Sequence, residues 1–365
     1  MKKQRIFILC LSMVLIAGLL APTALAKSSS WVPEITGEGT KTESSWSDQG
    51  TEMLPGEDQK PSDFLQTVDG PVIETQPVDA HYDVPNSTKI FVEVAQEDEG
   101  KCDFQWQWEN NGKWFNFIGA DAKKASLDIP ATTRTLNETN VRCVITYSKQ
   151  ADKITISDSA QFIMDSEQDT YAIVGHQGLT TGNTIKLTDG GSASLSADGK
   201  KLTLKDATIN LQEHLMLPSG STGLQYYVTP EKENDVASIE YSGNNTIYMD
   251  NEHSSPDLDG IKKGFANIAF TQMVSDFSNK RMTLNIGGTG TLNLETDAIQ
   301  KGLFQFYGIY AEAFINIQDY SNINIINPSV GIRTADLTIG KGAEMNIFSE
   351  NQSILINPSY NAPGD

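Results

Sequence analysis

Basic residues are scarce in this chain. Its 365 residues carry 27 Lys and Arg against 47 Asp and Glu, a formal net charge of −20. A surface this acidic repels the phosphates of nucleic acids and of anionic lipids, so neither is an expected partner. Cysteine is nearly missing, with three in all, and the four His fall at no metal-ligand spacing, which excludes a disulfide-dense scaffold and a zinc ribbon. Long apolar runs occur once, at residues 6–20, and no later segment is apolar enough to cross a bilayer. No nucleophile elbow, P-loop or dinucleotide fingerprint occurs, so the commonest nucleotide-dependent and hydrolase chemistries have no footing.

The single apolar run reads as an export signal. Lys2, Lys3 and Arg5 precede it, and Ala24-Leu25-Ala26 follows as a cleavage site. Residues 1–26 are therefore expected to be removed, leaving a mature chain from Lys27 with net charge −23. It is expected to be extracellular, with no membrane insertion. Residues 27–69 hold nine acids and three Lys among Ser, Thr and Gly. So few apolar residues cannot offset chain entropy, and a disordered acidic spacer is expected. Trp31 and Trp46 are its exceptions, either docking anchors or incidental aromatics.

What the chain has in abundance is one short pattern, repeated. Leu284-Asn285-Ile286, a five-residue link and Leu292-Asn293-Leu294 form one copy. Ile315-Asn316-Ile317, five residues and Ile323-Asn324-Ile325 form a second. Leu337-Thr338-Ile339, five residues and Met345-Asn346-Ile347 form a third. Ile239-Glu240-Tyr241 with Ile247-Tyr248-Met249, and Leu202-Thr203-Leu204 with Ile209-Asn210-Leu211, read as older copies. Apolar and polar residues alternate with the period of a half-buried strand. One such pair of strands is marginal alone, so burial requires stacking copy on copy. Ile317 to Ile339 and Asn324 to Asn346 each span twenty-two residues, and Gly308-Ile309 and Gly331-Ile332 hint at a third strand per turn. The expected fold class is all-β, with a parallel β-helix (β-solenoid) over residues 171–365. An antiparallel meander of hairpins is the alternative.

Residues 70–165 have a different texture, with short strands about ten residues apart, as in a β-sandwich. Strands are expected at residues 89–94, 104–108 and 141–145. Here Gln105-Trp106-Gln107 and the run LNETNVRC at residues 136–143 resemble strands C and F of a bacterial immunoglobulin-like domain. The resemblance implies that Trp106 is the core tryptophan. It also implies that strands C and F are neighbours, which leaves two readings for Cys102 and Cys143: a disulfide, or two buried thiols. The cysteine usual on strand B is absent, its place taken by one of Phe91, Val92 and Val94.

From Tyr171 onward, Val174-Gly175, Thr180-Thr181-Gly182-Asn183 and Leu202-Thr203-Leu204 with Ala207-Thr208-Ile209 resemble the leading rungs of right-handed β-helix regions in surface proteins of Gram-positive bacteria. Some of those relatives bind carbohydrate, and the wider pectate-lyase-like superfamily uses the fold on polysaccharides. Asn327-Pro328-Ser329 and Asn357-Pro358-Ser359 also repeat, as if the chain stopped within a further turn. No LPxTG motif or hydrophobic tail follows, so a fragment and a released protein are both open readings.

Stacked outward residues would place Asn293, Asn324 and Asn346 in one column and Asn285, Asn316 and Thr338 in another. Amides donate and accept together, which suits sugar hydroxyls; they also brace one another in solenoids without a ligand. Tyr307, Tyr310 and Tyr320 are candidate stacking surfaces for sugar rings, or simply strand packing. Asp250, Glu252, Asp257 and Asp259 crowd one loop and are the candidate Ca²⁺ ligands, although they lack calcium-loop spacing and also read as a solvated acidic turn. No other cofactor is expected. A lyase base could come from Lys262, Lys263 or Arg281, but no pair of carboxylates is set for glycoside hydrolysis. The expected function is that of an exported, non-catalytic binding or adhesion protein contacting an extracellular glycan or surface polymer. A polysaccharide-degrading enzyme and a structural spacer are the alternatives.

Overall fold

The computed structural model describes residues 70–96, 98, 100–117, 119–211, 222–249, 265–273, 282–297, 306–349 and 351–356. The expected export signal and acidic spacer lie outside the described residues. The described chain is all-β, its only helical segments being the short 3₁₀ turns Ala120–Lys123 and Arg134–Leu136.

The N-terminal strands build a six-stranded sheet around Cys102–Asn110 and Asn140–Tyr147. These two pair antiparallel, with Trp106 opposite Cys143 and Trp108 opposite Val141. Ala160–Glu167 pairs antiparallel with Asn140–Tyr147, and Ala80–Val84 joins it in parallel. A separate two-stranded sheet pairs Thr88–Phe91 with Ser126–Ile129. Period-two alternation sends Ile90, Leu127 and Ile129 from the small sheet, and Trp106, Cys143, Ile145 and Phe162 from the large one, into a single core. Trp106 is fully buried and its indole N–H donates to the backbone oxygen of Lys124 at 3.0 Å. The ring thus enters the core without an orphaned donor.

The strand expected at residues 89–94 is divided. Thr88–Phe91 pairs with Ser126–Ile129, whereas Glu93–Val94 pairs with Ile73–Thr75. Val92, at the break, is the buried member of the trio Phe91, Val92 and Val94.

The disulfide reading is corrected here, because Cys102 and Cys143 are both free thiols. Register gives the reason. Cys143 sits opposite Trp106, while Cys102 sits opposite Tyr147. Four residues of extended chain place them about 13 Å apart along the sheet, well beyond the span of a disulfide. Burial pushes the Cys143 thiol up to about 12.

Thr170–Val174 belongs to two cores at once. Tyr171 and Ile173 point into the core of the N-terminal sheets, and Ala172 and Val174 point into the next one. Tyr171 donates its hydroxyl to Glu167 at 2.9 Å, and Arg134 holds the same carboxylate at 2.7 Å.

Beyond this strand the chain alternates between two sheets. One has seven strands: Gln177–Thr180, Thr170–Val174, Thr222–Val228, Phe265–Gln272, Phe306–Ala311, Val330–Thr334 and Gln352–Ile356, in that order. The other begins with the antiparallel strands Thr184–Lys186, Ser192–Leu195 and Lys201–Lys205. From Lys201–Lys205 and Thr208–Asn210 it continues in parallel through Asp235–Met249 and Met282–Thr296. Phe314–Ile317 with Asn322–Ile326, then Asp336–Ile339 with Glu344–Phe348, complete it. Each repeat copy therefore pairs in parallel with the next instead of folding on itself as a hairpin.

Apolar residues stack in continuous columns. Leu202, Ile239, Ile286, Ile317 and Ile339 form one. Ile209, Ile247, Leu294, Ile325 and Ile347 form another. The three late copies stack as the sequence pattern predicts. The older copies are displaced by two residues: Ile239, not Tyr241, is the partner of Ile286, and Tyr241 faces Gly288. A slip of two preserves which residues face inward, so hydrophobic alternation cannot detect it. The Tyr241 ring points inward and its hydroxyl donates to the backbone oxygen of Asn322 at 3.0 Å. Gly288 is the residue beside it.

Gly308 and Gly331 each lie in a strand of the seven-stranded sheet ahead of a repeat copy, Phe306–Ala311 and Val330–Thr334. Their role is close approach rather than unusual backbone geometry. A Cβ on Gly308 would collide with Ile325, and one on Gly331 with Ile347. Gly223 meets Ile247 in the same way two strands earlier in the stack. In the intervening strand Asn267 is fully buried and satisfied: its amide donates to the backbone oxygens of Ile247 at 3.0 Å and Glu295 at 2.9 Å.

Candidate functional site

The ten-stranded sheet presents the repeated Asn residues on its outward face. Because Leu292, Leu294, Ile323 and Ile325 point inward, period two turns Asn293 and Asn324 out. Register then aligns Thr208, Thr246, Asn293, Asn324 and Asn346 in one ladder. Ser238, Asn285, Asn316 and Thr338 form the second.

The amides are linked one to the next. Asn346 donates from Nδ2 to Oδ1 of Asn324 at 2.8 Å, and Asn324 donates likewise to Asn293 at 2.8 Å. Asn293 donates to Asn244 at 3.2 Å and to Thr246 at 3.4 Å. In the second ladder Asn316 donates to Asn285 at 2.9 Å. Each ladder bond uses one of two amide N–H groups on the donor and one of two lone pairs on the acceptor. The remaining polar capacity is held in fixed orientation on a partly exposed surface. The two ladders sit on either side of the five-residue links.

The tyrosines diverge. Tyr307 is only 2 % exposed and receives an Arg333 N–H at 3.0 Å on its hydroxyl. Tyr310 is half-buried, donates to Glu312 at 2.9 Å and also lies beneath the Arg333 guanidinium, 5.2 Å from ring centre to charge. Both belong to the outer face of the seven-stranded sheet, away from the Asn ladders. Tyr320 lies on a link beside the ladders and is largely exposed.

Asp250, Glu252, Asp257 and Asp259 lie outside the described residues, as do Lys262, Lys263, Arg281 and the second Asn-Pro-Ser. Among the described residues, no group of three or more His, Cys, Asp or Glu could hold a metal ion. One ion pair stands near the start of the parallel strands, where Lys200 binds Asp235. Burial opposes the charge on Asp235, but Lys200 and the backbone N–H groups of Glu231 and Val236 outweigh it and hold the carboxyl below its ordinary range. This pair escaped sequence reasoning because thirty-five residues separate its members.

No protein-family model matches the chain, and no curated protein matches it by sequence.

Proposed function

We propose that this is an exported, non-catalytic binding protein of the bacterial surface, an immunoglobulin-like sandwich followed by a parallel β-helix that contacts an extracellular glycan. The alternation of the chain between two sheets of parallel strands supports the β-helix. Trp106 opposite Cys143 in a sandwich-like core supports the immunoglobulin-like module. The observation that carries the binding reading is the pair of amide ladders. Their side chains are already ordered by one another, so a polyhydroxylated ligand would meet donors and acceptors without having to freeze them.

A periodic polar face also fits a periodic ligand, since identical groups recur at each strand, about 4.8 Å apart. The amide-to-amide bonds favour a second reading as well, in which the ladders only brace a spacer. A glycan array probed with residues 27–365 separates the two. Binding without release of reducing ends or unsaturated uronate supports the proposal. Turnover in either assay would favour the enzyme alternative, and silence across the array would favour the spacer.

A further inference from the structure

Tyr320 occupies a position that the fold itself does not ask for. It is 69 % exposed on the link between Phe314–Ile317 and Asn322–Ile326. Its φ is +59°, a left-handed conformation comfortable for Asn or Gly and strained for a bulky aromatic. So exposed a ring gains little from burial, and its backbone geometry is unfavourable. Strain of this kind on an exposed side chain points to a use outside the fold.

The surroundings hold the ring in place. The Tyr320 N–H donates to the backbone oxygen of Lys341 at 3.1 Å, and the Lys341 N–H to Asp319 Oδ1 at 2.6 Å. The Gly340 N–H donates to Ile317 at 2.7 Å, and Glu344 to Ser321 at 2.7 Å. The ring rests against Gly342, where an added Cβ would lie 2.9 Å from its Cδ1 and 3.0 Å from its Cε1. Backbone thus supports part of the ring and leaves the rest to solvent. Asn316 and Asn324, one from each ladder, stand four residues to either side.

We propose that Tyr320 is the stacking platform of a carbohydrate site on this link. It would take the apolar C–H face of a sugar ring on its open side, while the flanking amides meet hydroxyls of the same chain. The assignment rests on the glycan-binding reading above and narrows it. The two links carry Asp319 and Glu344 against Lys341 as their only cation, so the favoured ligand is a neutral polysaccharide and not a uronate polymer.

The test compares the parent with Tyr320→Phe, Tyr320→Asn and Asn324→Ala. The probes are cello-, xylo- and chito-oligosaccharides, with oligogalacturonate as the acidic control. Tyr320→Phe should bind a neutral probe within about twofold of the parent. Tyr320→Asn should lose about tenfold, the scale of one aromatic stacking contact, while melting no lower, because Asn accepts the left-handed backbone. Unchanged binding by Tyr320→Asn overturns the platform, and if Asn324→Ala loses affinity in the same experiment the glycan reading survives without it. Preference for oligogalacturonate overturns the neutral-ligand assignment. A parent that binds no probe overturns the platform and the glycan reading together.

Discussion

Ile317 and Ile339 are partners in one column, yet they should respond very differently to truncation. Ile317 is fully buried between Ile286 and Ile339, whereas Ile339, in the last described copy, is 49 % exposed. Ile317→Ala removes three carbons from water-free surroundings, about 2.5 kcal/mol at roughly 0.8 kcal/mol per methylene. The cavity left in a packed interior raises the loss to about 3–4 kcal/mol. Ile339→Ala forfeits about half the transfer term and leaves no closed cavity, so about 1 kcal/mol is expected. Urea titration followed by far-UV circular dichroism reads both. All five Trp precede residue 115, so fluorescence in the same samples follows the N-terminal part of the chain. Equal losses for the two variants would refute the stacking order, and a parent-like Ile317→Ala would show that this residue does not face inward.

Gly308→Ala should destabilise by about 2 kcal/mol, the usual cost of overpacking, because its methyl would meet Ile325; a melting curve that overlays the parent would contradict this. Unfolded but unreduced protein lacking residues 1–26 should show both thiols to a thiol-reactive dye, and none would restore the disulfide. Asp235 has a lowered folded-state carboxyl, so its contribution is present above the ordinary Asp range near pH 4. It is lost as pH falls through the lower folded value. Asp235→Asn should therefore be less stable at neutral pH and show a shallower acid dependence; an unchanged acid limb would remove Asp235 from the account.

The late repeats could be read from sequence because two apolar triplets and a link of constant length recur in every copy, with a central Asn in five of the six triplets, although the copies stand thirty-one and then twenty-two residues apart. The older copies could not be placed correctly, since Ala237-Ser238-Ile239 carries a small residue where Leu284 stands. The eye moves instead to the stronger triplet two residues on. The strand ahead of each copy left only its glycine as a signal, and one of those positions is Asn267, whose amide is paid in backbone carbonyls that no pattern reveals. Register decides the cysteine question, because sharing a sheet face is not the same as being opposite. Among the tyrosines, strand or link membership separates the buried Tyr307 from the exposed Tyr320, and a Tyr inside a Gln-Asp-Tyr-Ser-Asn link was the available clue.

The amide ladder is most directly tested at its middle residue, by measuring thermal stability and glycan affinity for the parent and Asn324→Ala in one buffer. Asn324 both donates to Asn293 and accepts from Asn346. Its loss at a partly exposed site should lower stability by about 1 kcal/mol and, by releasing the two neighbouring amides, weaken the bound glycan several-fold. A fall in stability with affinity unchanged would contradict the binding role and leave the ladders as bracing alone.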